Sequence, residues 1–303
     1  MQHASRLLMI EPVQFGYNAQ TAVNNAFQVN HQIKNLQEKA LREFNDFVQL
    51  LRDNNIDVTV VKDTLSPPTP DSLFPNNWIS FHEDSSIVLY PMFAENRREE
   101  RKQSVLDVIK QQFNITHTTD LSYFETTNKF LEGTGSMVLD RINQIAYACL
   151  SPRTNRLVLE EFCSIKGYRP VSFIAKDQNG QPVYHTNVLM CIADTYTVIC
   201  LDAIADEKEK NMVKGYLIQT HKEIIPISTE QMHSFAGNML QVINTAGEKI
   251  LVMSDRAYRS LTKMQLAILQ QHNRILHTSL ENIEAAGGGS ARCMLAEVFT
   301  AVK

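Results

Sequence analysis

Near the end of the chain a run of three glycines, Gly287-Gly288-Gly289, is followed by Ser290-Ala291-Arg292-Cys293-Met294. Consecutive glycines reach backbone angles closed to other residues, so a main chain built from them can come close to a ligand. Cysteine is the side chain whose free form comes nearest to a nucleophile at neutral pH. Arg292 or a neighbouring histidine would favour its thiolate. The same residues also describe a flexible turn followed by a buried, inert cysteine. Three other segments carry groups suited to work beside a sulfur. His185 stands in Pro182-Val183-Tyr184-His185-Thr186-Asn187-Val188, at the entrance to an apolar strand, where an imidazole can be held as a general base or acid. A surface histidine is the plainer reading, and His82, His233 and His277 also adjoin strands. Glu132 opens Glu132-Gly133-Thr134-Gly135, a carboxylate at another strand mouth, although turn carboxylates are common. Asp71-Ser72-Leu73-Phe74-Pro75-Asn76-Asn77-Trp78 sets two adjacent amides before a strand, as turn formers or as recognition groups.

These groups need elements to hold them. Apolar runs predict strands at 7–10, 56–61, 78–82, 86–90, 132–140, 144–150, 170–175, 188–192, 196–201, 223–227, 238–244, 250–254 and 274–278. Helical spacing of apolar residues predicts helices at 31–54, 97–113, 155–165, 206–220 and 262–272, while 14–30 lacks clear periodicity. Ser66-Pro67-Pro68-Thr69-Pro70 excludes regular structure. The order strand, strand, helix, strand recurs about five times at intervals of ~50 to 60 residues, which suggests a cyclic or solenoid arrangement of one unit. No Gly/Ser-rich linker divides the chain, so one domain over 1–303 is expected.

Composition bounds the function classes. With 44% hydrophobic and 20% charged residues the chain reads as soluble and globular. Its net charge of −4, from 29 basic and 33 acidic residues, and the lack of basic tracts argue against nucleic acid and membrane surfaces as partners. No stretch approaches the ~18 apolar residues of a membrane span, and Leu7 to Ile10 is too short for a signal-peptide core. Five cysteines without a close-spaced pair point to a reducing compartment, so a cytoplasmic location is expected. Cys149, Cys163, Cys191 and Cys200 have apolar neighbours and read as core fillers. No pair has metal-ligand spacing and no His-x-x-x-His occurs, so no metal site is expected.

Taken in order, the Phe-Pro-Asn-Asn-Trp, Glu-Gly-x-Gly, His-Thr-Asn and Gly-Gly-Gly-Ser-x-Arg-Cys-Met segments resemble the guanidine-modifying superfamily of arginine deiminases, dimethylarginine dimethylaminohydrolases and amidinotransferases. Leu150-Ser151-Pro152-Arg153-Thr154-Asn155 adds a fifth match, similar to a segment of the dimethylarginine hydrolases. The chain looks most like the bacterial citrulline-utilisation hydrolase type. The resemblance implies an α/β fold, the pentein α/β-propeller of five ββαβ-type units around a pseudo-fivefold axis, with the site in the central channel. It implies Cys293 as nucleophile, His185 as general acid/base and Glu132 as the carboxylate that orients it. It also implies Arg153 on the substrate α-carboxylate, with Arg97 a looser match to another substrate-binding arginine. No metal or organic cofactor is implied; the partner is a small molecule, citrulline or an arginine derivative, and homo-oligomerisation stays open.

One departure from the superfamily pattern bears on the substrate. Where members acting on arginine-like substrates carry a carboxylate for the guanidinium, this chain has Asn76 and Asn77. A guanidinium offers only donors and a fixed charge, and burying it without a counter-charge is costly. A ureido group is neutral, with a carbonyl acceptor that an amide can meet. The expected reaction is therefore citrulline to ornithine, ammonia and carbon dioxide, with Asp71 or Glu83 as the carboxylates left to serve a guanidinium. Dimethylarginine hydrolase, arginine deiminase and amidinotransferase are the alternatives within this chemistry. A non-catalytic pentein binding protein, expected to lack the cysteine and histidine present here, and a structural module with the glycines as a hinge are the alternatives outside it.

Overall fold

The computed structural model describes residues 1–29 and 33–303, and its strands fall into five sheets of three. In chain order β1 (Arg6–Glu11) and β2 (Asp57–Lys62) belong to the first sheet, and β3 (Ile79–Phe81), β4 (Ser86–Leu89) and β5 (His117–Asp120) to the second. The third holds β6 (Val138–Asp140), β7 (Ile145–Cys149) and β8 (Arg169–Phe173), and the fourth β9 (Met190–Ile192), β10 (Tyr196–Ile199) and β11 (Glu223–Pro226). The fifth holds β12 (Leu240–Ile243), β13 (Lys249–Ser254) and β14 (Arg274–Thr278). β15 (Ala296–Glu297) returns to the first sheet and runs antiparallel to β1, with Leu8 opposite Ala296.

Every sheet has one plan. A short first strand runs antiparallel to a middle strand, which pairs parallel with a third. A parallel pair needs a crossover, and each crossover is a helix: Leu36–Asp53, Gln103–Gln112, Arg156–Lys166, Glu207–Gln219 and Lys263–His272. This is the pentein α/β-propeller of five ββαβ units, the first completed by β15. The first strands face one another, β15 on β3, β6 on β9 and β9 on β12. The helices pack on the outer side of the sheets; Phe44, Phe47 and Leu51, for instance, meet Leu7, Met9 and Val58.

Local chemistry fixes the helix ends. Asn155 accepts from the Leu157 N–H and Gly167, left-handed at φ 73°, stops the same helix. Thr262 and Gln265 form a capping box.

Four expectations need correction. Residues 31–32 of the expected first helix lie outside the described residues, and the helix is seen from Leu36. The expected helix over 97–113 is two, Glu95–Arg98 and Gln103–Gln112, separated where Arg97 and Lys102 turn inward to bury their charges against Glu100 and Asp63. The expected strands over 132–140 and 188–192 each begin with one helical turn, Gly133–Ser136 and Thr186–Leu189, because the chain must turn at the centre before it can pair. β5 was not expected: His-Thr-Thr-Asp has no apolar alternation, and an edge strand needs little.

Leu8 is fully buried on β1, opposite Ala296 of the strand that closes the ring. Leu8→Ala should lower unfolding stability by ~2–5 kcal/mol, whereas truncation of exposed Leu65 should stay within ~0.5 kcal/mol; paired denaturant titrations would check this.

Candidate active site

Short turns lead into the inner strands, and their polar groups meet at the centre. Pro75–Asn77 precedes β3, Gly133–Ser136 precedes β6, Thr186–Leu189 precedes β9 and Ala291–Met294 precedes β15. The turns touch so closely that side chains must be absent at the contact. A Cβ on Gly135 would fall 2.3 Å from Asn77 Nδ2 and 2.9 Å from His185 Nδ1. Asn77 and His185 therefore sit side by side over one glycine.

Beside them lies a small, nearly filled cavity lined by Thr21, Asp71, Asn77, Arg153, His185 and Cys293, with Arg97, Tyr184 and the three glycines. The sulfur and the imidazole thus share one small chamber despite their distance along the chain. Residues 15–29 cover it: Asn25 Nδ2 donates to the Gly288 carbonyl at 3.4 Å and Gln28 Nε2 to that of Ala286 at 3.0 Å. The glycine run, read above as a route to a ligand, also packs on protein, since a Cβ on Gly289 would lie 2.8 Å from the Phe74 ring.

His185 is buried, and its Nε2 lies 2.7 Å from Glu132 Oε2. The other oxygen of Glu132 accepts from the Phe93 N–H at 3.0 Å. Burial alone would raise the Glu132 carboxyl, but Arg153, the His185 hydrogen bond and Arg97 outweigh it and hold the group far below the usual carboxylate range. A charged Glu132 makes His185 Nε2 the protonated nitrogen and leaves Nδ1 as the acceptor. Burial also drives the imidazole down to about 4, against the pull of Glu132, so His185 is a neutral base at working pH.

Arg97 donates through Nε and Nη2 to the two oxygens of Glu100 at 2.8 and 2.9 Å. Its Nη1 reaches Asn77 Oδ1 at 2.9 Å. Its guanidinium is thus engaged with protein, and it orients an amide. Arg153 lies over the Tyr184 ring at 5.0 Å and donates to Asn24 Oδ1 at 2.7 Å and to the Thr21 carbonyl at 2.6 Å. Asp71 Oδ2 accepts from Asn18 at 2.8 Å and Thr21 at 3.2 Å, while its buried Oδ1 has no partner among the described residues.

Other candidates lie elsewhere. Asn76 is buried beneath the chamber rather than among its lining, and its backbone carbonyl accepts from Thr134. Glu83, with 59% of its side chain exposed and paired to the N-terminal amine, is at the surface and cannot serve the chamber. Arg292 turns away, its guanidinium on the Leu295 carbonyl and Glu297. His82 bonds Ser80, His233 stacks on Phe27 and His277 pairs with Asp255. The reading of the sequence missed Asn187, Asn238 and Tyr184. Asn187 Nδ2 and Asn238 Nδ2 each lie 3.3 Å from Cys293 Sγ, and Tyr184 Oη donates to the Gly288 carbonyl at 2.6 Å. Asn238 had a signal, because Gly237-Asn238 stands just before an inner strand as Asn77, Glu132, His185 and Cys293 do.

Residues 11–300 match the family model described as N,N dimethylarginine dimethylhydrolase, eukaryotic. The chain belongs to this family. Membership places it among hydrolases acting on non-peptide C–N bonds, within the guanidine-modifying superfamily. No curated protein sequence matches the chain. Among solved structures it is similar to the arginine dihydrolase ArgZ of the ornithine-ammonia cycle in cyanobacteria, at 18% identity and a TM-score of 0.76, covering 96% of this chain and 40% of that one. The chain therefore spans about 40% of the full-length relative. Against the N-terminal domain of ArgZ alone, bound to substrate, identity is 18%, the TM-score 0.76 and coverage 97% of each. The dimethylarginine dimethylaminohydrolase of Pseudomonas aeruginosa, complexed with citrulline, gives 14% identity, a TM-score of 0.64 and coverage of 97% of this chain and 99% of that one. At these identities the likeness carries the fold of the family.

Two outcomes follow for this family member. Gly135→Ala, which pushes apart Asn77 and His185, should lower kcat/KM by ~100-fold with little loss of secondary structure, checked by kinetics beside circular dichroism. The acid limb of kcat/KM should lie near 4 rather than near the ordinary 6.5 of a histidine. Because Glu132 raises the proton affinity of His185, Glu132→Gln should move that limb lower still while kcat falls by ~100-fold or more; pH–rate profiles of both proteins decide the sign.

Proposed function

We propose that the chain, working over 1–303 as one catalytic domain, hydrolyses the ureido group of citrulline to give ornithine, ammonia and carbon dioxide. The observation that carries this is the fixed orientation of Asn77. Arg97 holds its Oδ1, so its buried Nδ2, which has no partner among the described residues, is the atom it offers beside His185. An N–H donor suits a carbonyl oxygen and has nothing to bind on a guanidinium. A citrulline-bound relative among the similar folds supports a ureido amino acid as an occupant of such a chamber.

The proposed course is as follows. Arg153 takes the α-carboxylate, and the ureido oxygen lies on Asn77 Nδ2, with a ureido N–H towards Asp71 Oδ1. His185 Nδ1 takes the thiol proton of Cys293 and the sulfur attacks the ureido carbon. Asn77 meets the oxygen as it gains charge. The imidazolium, steadied by Glu132, hands its proton to the departing nitrogen. His185 then deprotonates a water, which attacks the sulfur-bound carbonyl and regenerates the thiol. Carbamate, where it is the product released, breaks down to ammonia and carbon dioxide.

Asp71 favours a second reading, arginine as substrate, because its free Oδ1 is a suitable acceptor for a guanidinium. Burial pushes the Asp71 carboxyl up, with Arg97 and Asn18 opposing, which weakens but does not remove that claim. Ammonia and ornithine release should be measured from citrulline, arginine and methylated arginines. Turnover of citrulline above the others is expected, and no turnover of citrulline overturns the proposal. Asn77→Asp should cost ~10- to 100-fold in kcat/KM on citrulline through loss of the donor, and Asp71→Asn should spare citrulline more than arginine.

A further inference from the structure

Cys293 has a neutral reception. Asn187 Nδ2 and Asn238 Nδ2 both point at Sγ from 3.3 Å. The orientation of Asn238 is fixed, because its Oδ1 accepts from the Arg292 N–H at 3.0 Å and its Nδ2 also donates to the Asn187 carbonyl at 2.9 Å. The two asparagines are therefore joined to each other and to the turn that carries the sulfur. Both are buried, at 1% and 0% exposure. The charged and titratable groups around the sulfur are His185, Tyr184, Arg153, Arg97 and Asp71 on the chamber side, with Glu132 behind His185. Each of the two arginines already has a carboxylate within 4 Å, and the Arg292 guanidinium is turned to Glu297.

We infer that Asn187 and Asn238 form a carboxamide pair that stabilises the Cys293 thiolate. The inference rests on the reading of Cys293 as nucleophile and deepens it. A neutral ureido substrate brings no positive charge to the sulfur, so donors aimed at it must come from the protein. Two buried N–H groups answer that need, since a hydrogen bond to a charged acceptor is stronger in a low-dielectric interior. Asn238 also completes a positional series: Asn77, Glu132, His185, Asn238 and Cys293 are separated by 55, 53, 53 and 55 positions, one from each unit.

The test reads the sulfur without substrate. Iodoacetamide alkylation of the free enzyme is followed against pH by intact mass, with Cys293→Ser marking the signal of that site. Asn238→Asp keeps the acceptor for the Arg292 N–H but replaces the donor by an oxygen, and Asn187→Asp does the same at the second position. Each should move the alkylation midpoint up by about 1 unit or more, a ~10-fold loss of thiolate at a fixed pH below it. Asn187→Ala, which adds no charge, should shift it in the same direction by less, and serves if the aspartate variants do not fold. Wild-type alkylation profiles in the folded variants overturn the inference, even where turnover is lost. A shifted midpoint in an enzyme inactive on citrulline leaves the amide pair standing and removes only the substrate reading.

Discussion

A single buried carboxylate organises the centre of this protein. Glu132 has no exposed surface, and keeps its charge because His185, Arg153 and Arg97 surround it. An uncompensated charge there would cost several kcal/mol, so each neighbour is constrained in turn. His185 must present Nε2 to it, which leaves Nδ1 as the acceptor. Arg97, drawn in at 3.9 Å and anchored on Glu100, fixes the sense of the Asn77 amide. Arg153, at 3.5 Å, reaches the covering segment through Asn24 and Thr21. The imidazole, the Asn77 amide and the covering segment are thus tied to one ionised group.

Much of this architecture was legible in the residues, for identifiable reasons. Middle strands such as Ile145–Cys149 are buried throughout and read as apolar runs, and crossover helices such as Leu36–Asp53 carry a strong apolar stripe. The inner strands were legible in place but not in length. The helical turns before β6 and β9 are held by contacts between turns, and no local preference of Gly-Thr-Gly-Ser or Thr-Asn-Val-Leu announces them. Polar β5 and the break between Glu95–Arg98 and Gln103–Gln112 were hidden for a related reason, since β5 depends on its pairing with β4 and the break on buried partners such as Asp63 and Asn77.

The candidate site shows the same division. Cys293, His185, Glu132, Asp71, Asn77, Arg97 and Arg153 are brought together, whereas Asn76, adjacent to Asn77, is not in the lining. Adjacent residues on a turn point in different directions, and spacing alone does not say which one faces in. The protein partners of the arginines were also beyond the sequence. Both guanidinium groups donate to protein, Arg97 to Glu100 and Asn77, and Arg153 to Asn24, Thr21 and Glu132, and spacing announces none of these partners. Asn238, next to Gly237, reads first as a turn former, and Asn187 is hidden between His185 and an apolar run.

The pairing of β15 with β1 has a consequence for assembly. In chain order the sulfur follows the other four central groups, and the strand after it completes a sheet begun by the first strand of the molecule. During synthesis the four earlier contributors can fold around the axis before the thiol emerges from the ribosome. The sulfur thus arrives last, on the same segment that fastens the two extremities of the ring together.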